Sequence, residues 1–434
     1  MEAKQGRSDE GKAIMMRLGS KGHDVIDNGF FRDADLDYAT RGVLGRAVHG
    51  ASEIGEVLAT IARVRHASDW VTQWRLTAES VQRQAERQLA AGHRVSARSS
   101  YLRAATYWSC VSDGLASESD EDALLAAFRA GRSAWEHFID CFEGAHVRVG
   151  VDYEAGTLPG YLMRPDATGQ PRPTLVVTSG SDAAINDLWS TIVAGGLDRG
   201  WNVFVYDGPG QQSMLFEHGV PFRPDWEAVL TPVVDTLVDR ADVIGEQLAG
   251  YGLSQGGYWL PRALAFEHRF AAAVVDPGVV DVSTSWTAKL SKGMIEQLHS
   301  GDRKRFNQAM GLATHLPGLA RTLTYRARPY PHTDWFDLYS TVLQYRLDAE
   351  TAALISTPLL ITEPEGEQFW PGQSAELGTL VQDSEVTHFT VAQGAELHCQ
   401  PLARLQTDAR IFDWLEDRLG ITEPAPEDES AGTR

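Results

Sequence analysis

A chain of 434 residues is too long for one ordinary core and points to two folding units. Its composition, 43% hydrophobic and 23% charged, is that of a globular protein, and no apolar run reaches the roughly 18 residues that a membrane span needs. A formal charge of -20, without a basic patch, argues against nucleic acid and anionic membrane as partners and leaves a small neutral or cationic molecule as the expected substrate.

Residues 1–34 are polar and mixed in charge, without the apolar core and small-residue cleavage site of a secretory signal, so this segment reads as flexible and the chain as cytoplasmic. From 35 to 145 the sequence is rich in Ala, Leu, Arg and Gln, with Gly mostly at the joints, which predicts about five helices. In DWVTQWRLTAESVQRQAERQLAAGH, residues Trp70, Trp74, Leu76, Val81 and Leu89 are expected on one helical face, with Ser68 and Asp69 offering an N-cap. Two such helices in succession look like a tetratricopeptide pair, but no fixed period supports a solenoid. Cys110, Cys141 and Cys399 are odd in number and widely spaced, which fits neither a disulfide framework nor a zinc site; they read as buried apolar residues, and no metal is expected.

Near residue 146 the texture changes to short β-branched runs cut by Gly, Pro and Asp: HVRVGVDYE, LPGYLMRP, PTLVVTSG and WNVFVYDGPG. Fully apolar runs then alternate with helical stretches (LAGYGL, AAAVVD, PLLIT), the pattern of a mostly parallel, doubly wound α/β sheet buried on both faces. This unit spans 146–422. A helical insertion at about 279–354, with the aromatic-rich ARPYPHTDWFDLYSTVLQY, reads as a lid, and the acidic tail at 423–434 as disordered.

The chemistry centres on LAGYGLSQGGYWLPRALAFEH, where an apolar strand runs through Gly252-Leu253-Ser254-Gln255-Gly256 into a helix. A serine lifted on so tight a strand-to-helix turn needs glycine on either side, because a Cβ there would strike neighbouring backbone. Ser254 is therefore the candidate nucleophile, against the blander reading of a turn serine. His398, in GAELHCQ after the last strand and before the last helix, is the candidate base; His388 inside that strand and His332 in the insertion fall outside the order serine, acid, histidine. The acid belongs in the loop after PLLIT, which offers Glu363, Glu365 and Glu367 and no aspartate. Glu367 is preferred, a few residues before Pro371, and Glu365 is second.

Two amides are expected to hold an oxyanion: that of Gln255 and one from the loop Ser179-Gly180-Ser181-Asp182, either Ser181 or Asp182. Asp182 reads equally well as the N-cap of the next helix. Asp207, in YDGPGQQS, reads as structural. Cys399 beside the histidine lacks an elbow and is not read as a nucleophile. Trp259, Trp286, Trp335, Phe336, Tyr339 and Tyr345 either line a pocket or pack the core and lid.

Taken together, SARSSYLRAATYW, TSGSDA, YDGPGQ, GYGLSQGG, LLITEPEGEQFWPGQS and GAELHCQ resemble the group of α/β-hydrolases that includes 2,6-dihydroxypseudooxynicotine hydrolase, the fungal yellowish-green pigment polyketide-shortening hydrolases and the FrsA-like proteins. The resemblance covers nearly the whole chain. It implies an α/β-hydrolase fold with an N-terminal helical cap that also serves dimerisation, a cofactor-free Ser/acid/His hydrolase, and cleavage of a C–C bond beside a ketone, or of an ester, in a small aromatic or polyketide-like metabolite. A glutamate where the group usually has aspartate is this chain's departure. An acyltransferase, cyclase or thioesterase on the same residues is a second expectation, and a binding protein on a hydrolase scaffold a third.

Overall fold

The computed structural model describes residues 29–421 apart from Ala155 and Leu316. The first 28 residues of the expected flexible segment, and the expected disordered tail at 423–434, lie outside the described residues. Among those described, no helix is long and apolar enough to cross a membrane.

Among the described residues, five α-helices precede the sheet: Ala34–Gly45, Ile54–Ile61, Asp69–Ala90, Arg94–Leu115 and Glu121–Asp140. Asp33 caps the first by accepting the amides of Asp35 and Leu36, and Asp120 caps the fifth by accepting that of Ala123. The third helix buries Trp70, Trp74, Ala78, Val81 and Ala85, a stripe at spacings of three and four. Leu76 and Leu89, expected on this face, are 53% and 38% exposed. At about 100° per residue, Leu76 points almost opposite the middle of the stripe and Leu89 reaches only its edge. Ser68 makes no capping bond either; Asp69 instead accepts the amides of Arg65 and His66 and orders the turn before the helix.

Among the described residues, eight strands form one sheet: β1 Val147–Tyr153, β2 Gly156–Met163, β3 Arg172–Thr178, β4 Asn202–Tyr206, β5 Val243–Leu253, β6 Ala272–Asp276, β7 Leu359–Pro364 and β8 Ser384–Phe389. Their spatial order is β1-β2-β4-β3-β5-β6-β7-β8, antiparallel at β1/β2 and β2/β4 and parallel from there on. Alternation along the strands sorts side chains between two cores. Leu175, Val177, Val203, Val205, Val274 and Leu360 face the core shared with the N-terminal helices and with the C-terminal helix Arg404–Leu419. Val176, Phe204, Tyr206, Val275 and Ile361 face the other, shared with the insertion. A sheet covered on both faces explains why its central strands read as unbroken apolar runs.

The insertion between β6 and β7 is helical, with Lys292–Ser300, Arg303–Ala313, Pro317–Ala327 and Trp335–Val342 as its longer pieces. It meets the N-terminal helices directly. Arg321 donates to the Ser117 hydroxyl, and Arg328 donates to the Ala116 carbonyl and pairs with Glu121 at 2.7 Å. The N-terminal helices are also tied to the sheet by Arg132, whose guanidinium reaches the buried Asp207 at 2.5 Å. Ser213 donates to the same carboxylate, so Asp207 is a cross-brace between segments.

Candidate active site

Ser254 sits where β5 turns into the helix Gly256–Leu264, with φ at +54°. A non-glycine residue there carries roughly 1–2 kcal/mol of strain, and the packing that enforces it is visible in the neighbouring glycines. A Cβ on Gly252 would lie 2.5 Å from the Gly256 carbonyl oxygen, one on Gly256 2.3 Å from the Thr178 oxygen, and one on Gly257 1.9 Å from the Pro277 oxygen. The helix thus starts pressed against the ends of β3 and β6. The Ser254 amide donates to the Asp276 carbonyl at 2.7 Å, pinning the turn to β6.

His398 lies between β8 and the last helix. Its Nε2 is 2.9 Å from Oγ of Ser254, and its Nδ1 is 2.8 and 3.0 Å from the two carboxylate oxygens of Glu367. Glu367 in turn accepts the amides of Phe369 at 2.8 Å and Trp370 at 3.2 Å on Oε1. Burial works against both charges, but the pairing prevails. His398 and the two amides hold the Glu367 carboxyl below its ordinary range, while Cys399 and Glu367 hold the imidazole well above its own. Burial pushes the Cys399 thiol up to about 11, so at neutral pH the negative charge facing the imidazole is that of Glu367.

The other two glutamates point elsewhere, and Glu363, expected in the loop, still belongs to β7. Glu363 pairs with the exposed His388 at 3.0 Å, and Glu365 accepts the amide of Val391. A cleft of about 410 Å³ lined by Glu363, Glu365, Trp370, His388 and Thr390 opens behind this loop; Glu367 reaches its wall, but Ser254 and His398 do not.

On the opposite side of Ser254, the loop after β3 approaches closely enough that a Cβ on Gly180 would be 2.8 Å from that of the serine. Ser181 and Asp182 follow at once. Asp182 caps no helix: its side chain is exposed, and its carbonyl accepts Gln212 Nε2. Gln211, which the sequence did not single out, braces this loop from below. Its Nε2 donates to the carbonyls of Ser179 at 2.9 Å and Gly180 at 3.1 Å, while its Oε1 accepts the Gly208 amide. Gln211→Leu is expected to leave those buried groups unpaired and to destabilise the protein by about 1–3 kcal/mol. A urea midpoint unchanged from wild type would contradict the brace.

The N-terminal helices also reach the site. Tyr38, on the first helix, donates its hydroxyl to the His398 carbonyl at 2.8 Å, and the same helix packs so tightly that a Cβ on Gly45 would fall 1.6 Å from the Pro401 oxygen. Phe369 stands edge-on to the imidazole, with ring centres 4.7 Å apart. Of the aromatic residues considered above, Trp259, Trp286, Tyr339 and Tyr345 are buried core, while Trp335 and Phe336 pack at its margin. Cys110 and Cys141 are buried, as expected; Cys399 is only partly so, and its thiol donates to the Asp276 carbonyl that also holds Ser254.

No protein-family profile matches the chain. Individual proteins do. It is 30% identical to an α/β-hydrolase of Aspergillus fumigatus over 90% of this chain and 94% of that one, and 27% identical to 20-hydroxy-prefusarin hydrolase of Gibberella moniliformis over 92% and 99%. Among solved structures, that of 2,6-dihydroxy-pseudo-oxynicotine hydrolase superimposes with a TM-score of 0.66 at 18% identity, covering 86% of this chain and 95% of that one, a likeness of fold. From its sheet order, its helical cover and these full-length relatives, the chain belongs to the α/β-hydrolase family.

Proposed function

We propose that the protein is a serine hydrolase acting through an acyl-enzyme on a small aromatic or polyketide-like metabolite. The observation that carries the reading is the hydrogen-bonded series Glu367–His398–Ser254, ending on a serine held at positive φ between a strand and a helix. His398 takes the proton of Ser254 as Oγ attacks a carbonyl carbon, and the amides of Gln255 and of Ser181 or Asp182 receive the negative charge that forms on the carbonyl oxygen. As the tetrahedral adduct collapses, the imidazolium returns its proton to the leaving group. This group is an enolate or electron-rich aryl carbanion when the bond broken is C–C beside a ketone, and an alkoxide when it is an ester. Water, deprotonated by the same imidazole, then attacks the acyl carbon, and Ser254 leaves with the proton. Relatives named as hydrolases of 20-hydroxy-prefusarin and 2,6-dihydroxy-pseudo-oxynicotine support a small organic substrate. The reading includes a cytoplasmic homodimer.

A fluorophosphonate probe tests the mechanism. Wild-type protein is expected to take up one probe, located at Ser254 by mass spectrometry, and Ser254→Ala none. A folded wild type that stays unlabelled would sink the reading. Labelling leads to a panel of β-diketones, aryl ketones and esters.

A further inference from the structure

At the C-terminal end of β6, beneath the serine and the histidine, lies the fully buried carboxylate of Asp276. Four side chains converge on it. Oδ1 accepts Thr362 of β7 at 2.6 Å and Gln400 Nε2 at 2.9 Å; Oδ2 accepts Tyr251 of β5 at 2.8 Å and Arg404 at 3.4 Å. Thr362 and Tyr251 moor the carboxylate to the strands on either side. Gln400 and Arg404 both belong to the chain just beyond His398, and Arg404, itself buried, also donates to the Cys399 carbonyl at 2.7 Å.

That stretch needs holding. Cys399 and Gln400 are consecutive non-glycine residues at positive φ, +55° and +41°, and this two-residue bend directly follows the imidazole it orients. The Gln400 amide closes the bend onto the Leu397 carbonyl. Each carboxylate oxygen of Asp276 then secures one clamp, Oδ1 through the Gln400 side chain and Oδ2 through Arg404. The backbone carbonyl of the same residue accepts the amide of Ser254 and the thiol of Cys399. One residue therefore touches the mounts of both partners in the Ser254–His398 hydrogen bond without touching either reacting atom.

We propose that Asp276 is a positioning residue that sets the distance and angle between His398 and Ser254 by holding the left-handed bend through Gln400 and Arg404. The inference rests on Ser254, His398 and Glu367 acting together as proposed above. Only an acceptor suits its place, because all four neighbours can donate. Asp276→Asn turns an amide toward one of the two pairs, and Gln400→Met removes one clamp while leaving the carboxylate moored by Thr362, Tyr251 and Arg404.

The test is the rate of fluorophosphonate labelling at Ser254 as a function of pH, in wild type, Asp276→Asn, Gln400→Met and the double variant, with circular dichroism fixing the folded fraction of each. Expected for the folded variants are a plateau rate at least tenfold below wild type and an acidic limb moved to lower pH, because a loosened His398 pairs less well with Glu367. The double variant should lose little more than Asp276→Asn alone. Folded variants with the wild-type rate and profile would overturn the proposal and leave Asp276 as a support of the fold only. If Asp276→Asn does not fold, Gln400→Met decides by the same criterion. An unlabelled wild type would instead overturn the underlying serine-hydrolase reading, and this inference with it.

Discussion

Glu367→Gln is expected to lower the rate of Ser254 acylation by about 10⁴, the loss known for an acid-to-amide change in a Ser-His-acid triad, while the protein stays folded. The geometry says why so small a change has so large an effect. Glu367 Oε1 accepts the amides of Phe369 and Trp370, and Oε2 faces only the histidine. A glutamine has one oxygen, which the two backbone amides claim, and its NH₂ then points at Nδ1. The imidazole responds by carrying its proton on Nε2, the tautomer that cannot take one from serine.

The pH profile shifts with a definite sign. In wild type, pairing with the carboxylate holds the His398 pKa well above its ordinary value, so labelling should rise with pH through a limb above 6.5. Without that charge, burial governs and favours the neutral ring, so the limb of the variant should lie at lower pH beneath a much reduced plateau. Glu365→Gln, at a side chain that accepts the Val391 amide and does not face His398, should leave rate and limb unchanged. A limb that stays in place in Glu367→Gln would mean that His398 is not the group titrating.

The second large effect is on stability. Gly257→Ala would place a Cβ 1.9 Å from the Pro277 carbonyl oxygen, backbone against backbone, next to the Asp276 carbonyl that pins Ser254. No rotamer relieves such a clash, so a loss at or above the upper end of ordinary overpacking, about 3 kcal/mol, is expected in urea unfolding. Gly311→Ala is the internal control. Among the described residues, nothing beyond its own helix lies within 4 Å of its added methyl, and a glycine-to-alanine change inside a helix should stabilise by about 0.5–1 kcal/mol. Equal midpoints for the two variants would refute the packing argument.

Local chemistry decided what the sequence could reveal. The turn around Ser254 is a five-residue device whose glycines announce themselves, and the central strands are apolar throughout because both their faces are covered. The acid was harder: Glu363, Glu365 and Glu367 alternate along one short stretch that begins in β7 and runs into the loop, and which of them faces His398 depends on the turn at Gly366, whose amide donates to the carbonyl of Glu396, thirty residues on. Asp276 and Tyr38 were not legible at all, since each contacts the site across the sheet or from a distant part of the chain, and nothing near them in sequence marks the partner. YDGPGQ did carry a hint for Gln211, a polar side chain directly after a glycine turn that would otherwise have little reason to be buried. Leu76 and Leu89 show the opposite error, hydrophobic residues counted into a helical stripe whose angular width excludes them.

The embrace between the first helix and the histidine loop, through Tyr38 and Gly45 on one side and His398 and Pro401 on the other, also sets a schedule. During synthesis the serine turn emerges with its strands more than a hundred residues before its base does, and the helix bearing Tyr38 must wait for a seat made of chain not yet translated. A ribosome-bound fragment ending before β8 therefore lacks His398, and on the proposed mechanism its serine has no base. On that mechanism reactivity waits for the last elements, when the first helix and the histidine loop close on each other.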